Sequence, residues 1–72
     1  MLRTKLIESK LSARQKDYSV EIVLEDERTV VRKNLIIGSV RVPIDETYAL
    51  DLKTAIMVLS HFTIEILGYS LN

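Results

Sequence analysis

Two residues near the C-terminus carry side chains that could do chemistry together, His61 and Glu65. Residues four apart on a helix share one face, so Glu65 could orient His61 as a base, or the pair could supply half of a metal site. The chain has one His and no Cys, so any metal would need further ligands from a second copy. The simpler interpretation is an exposed ion pair worth a few tenths of a kcal/mol. We therefore expect no metal site and no cofactor.

Motifs of the common enzyme classes do not occur in this sequence: it has no GxGxxG, GxxxxGK[ST], GxSxG or HExxH pattern. Ser60 precedes His61, but adjacent helical residues point about 100° apart and make no nucleophile–base pair. Asp45, Glu46 and Asp51 are better explained by the electrostatics of a helix N-terminus than by paired-carboxylate catalysis. The sequence predicts a non-enzymatic protein without catalytic residues.

A block of basic residues lies in the middle of the chain, within residues 28–41. On a hairpin, some of these cations would share a face and could contact the phosphates of a nucleic acid. The isoelectric point of 6.6 argues against this, since a basic nucleic-acid domain is expected to exceed about 9. No aromatic residue is interleaved with the cations for base stacking. Nucleic-acid binding is therefore the alternative function, carried by Arg28, Arg32, Lys33 and Arg41.

The elements that would position these residues follow from hydrophobic periodicity. The stretch "YSVEIVL" (18–24) alternates as a strand, with Tyr18, Val20 and Ile22 on one side. A polar turn "EDER" follows, and Gly38-Ser39 fits the first-position glycine of a type II′ hairpin. Pro43 must then lie on an edge strand or at a strand end, because it has no N–H to donate. The prediction is an antiparallel meander of about three strands, at 18–24, 29–37 and 40–44.

The C-terminal part reads as one long helix over about residues 46–67. Asp45 is a plausible N-cap, apolar residues from Tyr48 to Ile66 recur at helical spacing, and Gly68 is placed to follow the last turn. A competing interpretation makes "FTIEIL" (62–67) a final strand, since it alternates and contains β-branched residues. The N-terminal segment is ambiguous, with good helix formers but an alternation of Leu2, Thr4 and Leu6.

A second set of apolar residues lies nearly opposite the core-facing side of this helix. Leu50, Met57 and Ile64 are spaced by seven, with His61 on their polar border. A heptad-spaced apolar seam with polar edges is what a helix–helix interface requires. Either residues 1–16 of the same chain cover this seam, or a second chain does.

Length and composition set the remaining limits. A chain of 72 residues makes a single domain, 1–72, and buries only roughly 60% of its unfolded surface, so reinforcement is expected. Without Cys there are no disulfides, and self-association is the reinforcement that the composition permits. There is no apolar run long enough to cross a membrane and no secretory signal, which fits a cytoplasmic protein. We predict a small α+β homodimer that binds a macromolecule as a regulatory, inhibitory or adaptor protein.

Overall fold

The computed structural model describes residues 2–68, which form one antiparallel sheet and one helix. The strands are β1 (Arg3–Ala13), β2 (Lys16–Glu25), β3 (Arg28–Ile37) and β4 (Val40–Ala49), and the helix is α1 (Leu52–Gly68). Each strand pairs with the next in the order β1-β2-β3-β4, which makes the sheet a meander. The helix contacts all four strands. This confirms the predicted α+β class, a meander with a C-terminal helix across it.

The sheet has four strands rather than the predicted three or so. The additional strand is β1, formed by the N-terminal segment that is ambiguous in sequence, and it pairs with β2 along its whole length. The turn between them, Arg14-Gln15, contains no Gly, Asn or Pro, yet both residues have positive φ, 52° and 64°. Tight hairpins of this type usually use Asn-Gly or Asp-Gly at these two positions. The sequence therefore gives no turn signal for this hairpin.

The helix begins at Leu52 and not near residue 46, so the predicted start is wrong. Residues 45–49 instead lie in β4 and pair with residues 29–33 of β3. This stretch contains a β-branched and an aromatic residue, which favour strands. The N-cap is accordingly Asp51 rather than Asp45. The side chain of Asp51 accepts a hydrogen bond from the backbone N–H of Thr54 at 2.8 Å.

At the other end, residues 62–67 belong to α1 and do not form a final strand. Phe62 and Ile66 are four residues apart and both are buried, as a helix packed on a sheet requires. Arg14 donates a hydrogen bond from Nη1 to the carbonyl of Ile66 at 3.0 Å. This satisfies one of the carbonyls that a helix C-terminus leaves without an intrahelical partner. Gly68, predicted to follow the helix, is its last residue.

The hydrophobic core lies between α1 and the side of the sheet that faces it, which we call the helix face. The predicted alternation of β2 is confirmed there, with Tyr18, Val20 and Ile22 in the core. The opposite side of the sheet, the open face, carries the intervening residues of each strand and is not covered by the helix. The buried residues of the core are Tyr18, Val20, Ile22, Val31, Ala55, Phe62 and Ile66.

Both edges of the sheet carry features that discourage the addition of another strand. Pro43 lies in the edge strand β4, as predicted, and Ile44 beside it is skipped in the pairing with β3. In the other edge strand, β1, the pairing with β2 skips Leu6, and Lys5 and Lys10 are exposed. Proline, lysine and bulges are the devices by which edge strands avoid edge-to-edge pairing. Growth of the sheet through either edge is therefore disfavoured.

Candidate functional site

The outer side of α1 exposes the apolar residues that the sequence predicts there. Met57 is 65% exposed and Ile64 is 66% exposed, and both point away from the core. Leu50 does not join them, because it lies before the helix, where it is 98% exposed. The three-membered heptad seam is therefore wrong in its first member. His61 borders the remaining pair, and its side chain is 70% exposed.

The N-terminal segment does not cover these residues, because it forms β1 at the edge of the sheet. The apolar surface is instead larger than the sequence indicates. Leu52 and Ile56, 53% and 50% exposed, line a groove of about 280 Å³ between α1 and β1, together with Leu6 and Ile7. We call the exposed apolar residues of the helix the outer helix surface. It consists of Leu52, Ile56, Met57, Ile64 and Leu67.

The side chains of His61 and Glu65 contact each other within a larger set of polar contacts. His61 Nε2 lies 3.6 Å from one carboxylate oxygen of Glu65, and Lys33 Nζ lies 3.3 Å from the other. Lys33 also lies over the ring of Phe62, 5.3 Å from its centroid. Glu65 thus contacts Lys33 of the sheet as well as His61, which fits the interpretation of the His61–Glu65 pair as an electrostatic contact. Within residues 2–68, no three His, Asp or Glu side chains lie together as metal ligands.

The basic residues of the nucleic-acid alternative are divided between the two sides of the sheet. Lys33 lies on the helix face, where it contacts Glu65. Arg28, Arg32 and Arg41 lie on the open face, each beside a partner. Arg28 lies over the ring of Tyr48, 5.5 Å from its centroid. Three of the four cations of this alternative therefore share one face of the sheet, and Lys33 lies on the other.

Arg32 and Arg41 are held in ion pairs by carboxylates of other strands. Arg32 Nε donates to Glu46 at 2.7 Å, and its Nη2 donates to Glu25 at 3.2 Å. Burial alone lowers the pKa of Arg32, but these two hydrogen bonds outweigh it and raise the pKa above its usual value. Arg41 reaches from β4 across the two central strands to Glu8 of β1, with hydrogen bonds of 2.6 Å and 3.0 Å.

Glu8 is consequently a strongly perturbed acid. The two hydrogen bonds from Arg41 are the main reason that its pKa falls from 4.5 to about 2. Burial opposes this shift, while a hydrogen bond from Lys5 at 3.1 Å adds to it. Glu8 therefore stays ionised at any ordinary pH and ties the two edge strands together across the open face.

The open face also buries polar side chains. Ser19, Glu21 and Asn34 are 0%, 1% and 1% exposed, although α1 lies on the other side of the sheet. Asn34 Nδ2 donates to Glu21 Oε2 at 2.6 Å and to Ser19 Oγ at 3.0 Å. The one indication of this polar cluster in the sequence is that the alternation of β2 places Ser19 and Glu21 together on the side opposite the core. Their burial depends on long side chains from β1 and β4, which the strand pattern does not reveal.

The chain matches no protein-family model, and no curated protein or solved structure matches it either. Among the residues that the structure describes, no helix is long and apolar enough to cross a membrane.

Proposed function

We propose that this protein is a small non-enzymatic binding protein that works as a homodimer and regulates, inhibits or adapts a macromolecular partner. The observation that carries the proposal is the outer helix surface. Its five residues are between 39% and 66% exposed and lie on one helix. Monomeric proteins rarely leave contiguous apolar patches of this kind in water. A second copy of the chain is the occupant that we assign to it.

The positions of these residues suit a two-fold pairing of antiparallel helices. Met57 comes three residues before Ser60, and Ile64 comes four residues after it. With a two-fold axis near Ser60, Met57 of one copy lies opposite Ile64 of the other, which makes the contact self-complementary. Ser60 is small and exposed, so the two helices can approach closely at the crossing point.

The charge of Lys53 also favours the antiparallel pairing of the two helices. Lys53 is exposed one turn before Met57, on the same side of α1. The antiparallel pairing places it beside the C-terminal end of the other copy's helix. The carbonyl end of a helix attracts cations by about 0.3–1 kcal/mol at an exposed site.

The test is the mass of the protein in solution at micromolar concentration, measured by light scattering during size-exclusion chromatography. We expect a dimer for the natural chain and a monomer for Met57→Glu, because the interface would bury an unpaired carboxylate. Ile37→Glu is the matched control, since Ile37 is 60% exposed and lies at the far end of the β3–β4 hairpin. It introduces the same charge and is expected to leave the dimer intact. A monomeric natural chain would overturn the proposal.

The partner-binding part of the proposal is supported by a second apolar surface. At the turn between β3 and β4, Ile37 and Val40 are each 60% exposed, and Val42 and Ile44 are 38% and 47% exposed. This surface is not used by the helix pairing, so it remains accessible in the dimer. We expect Ile37→Glu to abolish the capture of a specific host protein that the natural chain and a turn variant, Gln15→Glu, both retain.

A further inference from the structure

The open face contains a cleft that is separate from both apolar surfaces. It has a volume of about 420 Å³ and is lined by four cations, Arg3, Lys5, Arg32 and Arg41, with Glu21 and Asn34 among the lining residues. We call it the polar cleft. Cations that face one another across a cleft raise the local concentration of anions. The composition of the wall therefore points to an anionic ligand.

Among residues 2–68, two buried acceptor atoms of residues that line the polar cleft have no hydrogen-bond donor. They are Oε1 of Glu21 and Oδ1 of Asn34, and each atom is shielded from solvent. The other carboxylate oxygen of Glu21 accepts a hydrogen bond from the amide nitrogen of Asn34. Because a buried acceptor without a donor is unfavourable, these residues favour a ligand that brings its own donor.

The cations at the rim retain capacity for a further acceptor. The guanidinium of Arg3 lies 3.8 Å from Glu21 and 3.5 Å from Glu25, longer than a charge-assisted hydrogen bond. Its side chain is 51% exposed, and those of Lys5 and Arg41 are 42% and 36% exposed. Lys5 and Arg41 share the single carboxylate of Glu8. Either cation can therefore turn toward an anion in the polar cleft while the other stays paired with Glu8.

We infer that the polar cleft binds an oxyanion that carries its own O–H group, namely hydrogen phosphate, free or as the phosphate of a small hydroxylated metabolite. The oxygens of the anion accept hydrogen bonds from Arg3 and from either Lys5 or Arg41, while the other of these two stays paired with Glu8. The O–H group, or a neighbouring hydroxyl of the metabolite, donates to Oε1 of Glu21. This site does not depend on the proposed dimer, because it lies on the open face and not on α1.

The carboxylate of Glu21 makes the site selective. Sulfate has the size and charge of hydrogen phosphate but no proton at neutral pH, so it would face Glu21 with two acceptors in contact. The phosphodiesters of DNA also lack an O–H group, and DNA carries no 2′-hydroxyl beside them. The site should therefore reject both sulfate and DNA oligonucleotides, which separates this inference from the nucleic-acid alternative.

The experiment is a titration of the isotope-labelled protein, followed by NMR shifts of the backbone amides. We expect inorganic phosphate to shift residues around Glu21, Asn34 and Arg41, and sulfate to bind at least about tenfold more weakly, the value of one charged hydrogen bond. Glycerol 3-phosphate, titrated in parallel, distinguishes a metabolite site from a site for free phosphate. Ionic strength is held constant with chloride throughout.

Three variants make the result specific. Glu21→Gln should remove the selectivity and bring sulfate to within about twofold of phosphate, because an amide can donate to sulfate. Arg3→Gln at the exposed rim should weaken phosphate binding by about tenfold if one charged contact is lost. Lys16→Gln removes the same charge from an exposed side chain at the start of β2 and should leave binding unchanged.

Other outcomes contradict the inference. No localised shifts with either phosphate compound would exclude an oxyanion site, and equal binding of sulfate by the natural chain would exclude the role of Glu21. Salt-sensitive binding of a single-stranded oligonucleotide on the same residues would favour the nucleic-acid alternative instead. Repeating the phosphate titration with Met57→Glu keeps this test independent of the dimer.

Discussion

The two sides of the sheet are both buried, but by different means. On the helix face, Phe62 and Ile66 of α1 cover the apolar residues of β2 and β3. On the open face there is no covering helix, yet Glu21 and Asn34 are each only 1% exposed. There, the cover consists of charged side chains that reach across the strands, such as Arg41 from β4 to Glu8 in β1.

The difference shows that a sheet can shield one face with ion-paired side chains rather than with a secondary-structure element. Apolar burial is tolerant of geometry, because dispersion and the hydrophobic effect have no direction. Polar burial requires that each acceptor meets a donor, and on the open face two acceptors do not. The helix face should therefore supply most of the stability, whereas the open face should supply specific binding.

The largest expected effect comes from removing the cover of the helix face. Phe62 is 4% exposed, and truncation of a buried Phe to Ala costs about 3–5 kcal/mol. We expect Phe62→Ala to lower the free energy of unfolding by this amount, measured by urea denaturation followed by circular dichroism. A loss below about 1 kcal/mol would mean that α1 contributes little to the fold.

Substitutions on the open face should change the stability less, and their effect should depend on whether the hydrogen-bond partner is replaced as well. Asn34→Leu removes the donor to Glu21 Oε2 and should cost about 1–3 kcal/mol, because both oxygens of a buried carboxylate then lack a hydrogen-bond donor. The double variant Glu21→Met/Asn34→Leu removes both partners. It should be more stable than Asn34→Leu alone in the same urea experiment. A double variant that is less stable than either single one would show that the polar pair stabilises the fold.

The pH dependence of stability should come from the ion pairs of the open face. The folded-state pKa of Glu8 lies below its usual 4.5, at about 2, so its contribution is complete above pH 4.5 and is lost as the pH falls toward 2. Because the pair is partly open to solvent, we expect about 1–2 kcal/mol of pH-dependent stability. Thermal unfolding between pH 2 and 6 measures it. Glu8→Gln should flatten the curve in this range, and an unchanged curve would contradict the role of Glu8.

The smallest expected effect concerns the start of the helix. Asp51→Ala removes the hydrogen bond to the N–H of Thr54 and should lower the thermal midpoint, though less than Asn34→Leu. Asp45→Ala is the comparison, because Asp45 lies in β4, where it accepts a hydrogen bond from the N–H of Glu46 and lies 4.0 Å from Lys33, but caps no helix. A loss with Asp45→Ala and none with Asp51→Ala would place the beginning of the helix where the sequence alone predicts it.

Hydrophobic periodicity predicted the parts of the fold in which the local secondary-structure preference agrees with the tertiary packing. The alternation of β2, the Gly38 turn and the edge position of Pro43 are all confirmed. The turn at Arg14-Gln15 could not be predicted, because neither residue is one that favours positive φ. The prediction was also wrong at residues 45–49, because their sequence is compatible with both a helix and a strand. Only the pairing with β3 decides between the two.

The candidate sites were harder to predict from the sequence than the fold was. Met57, Ile64 and His61 are exposed on the outer side of α1, but Leu50 lies outside the helix because the helix starts later than predicted. The groove lined by Leu6 and Ile56 depends on β1, which is ambiguous in sequence. The polar cleft depends on contacts between the two edge strands, which no local pattern encodes.

The pairing of two copies through α1 is tested most directly by cross-linking at the proposed two-fold axis. The chain has no Cys, so Ser60→Cys introduces a single thiol at this position, and Gln15→Cys, in the β1–β2 turn, places one away from it. Under mild oxidation we predict rapid formation of a disulfide-linked dimer by Ser60→Cys and slow, concentration-driven formation by Gln15→Cys. Equal rates for the two variants would contradict the account, because α1 would then not bring the copies together.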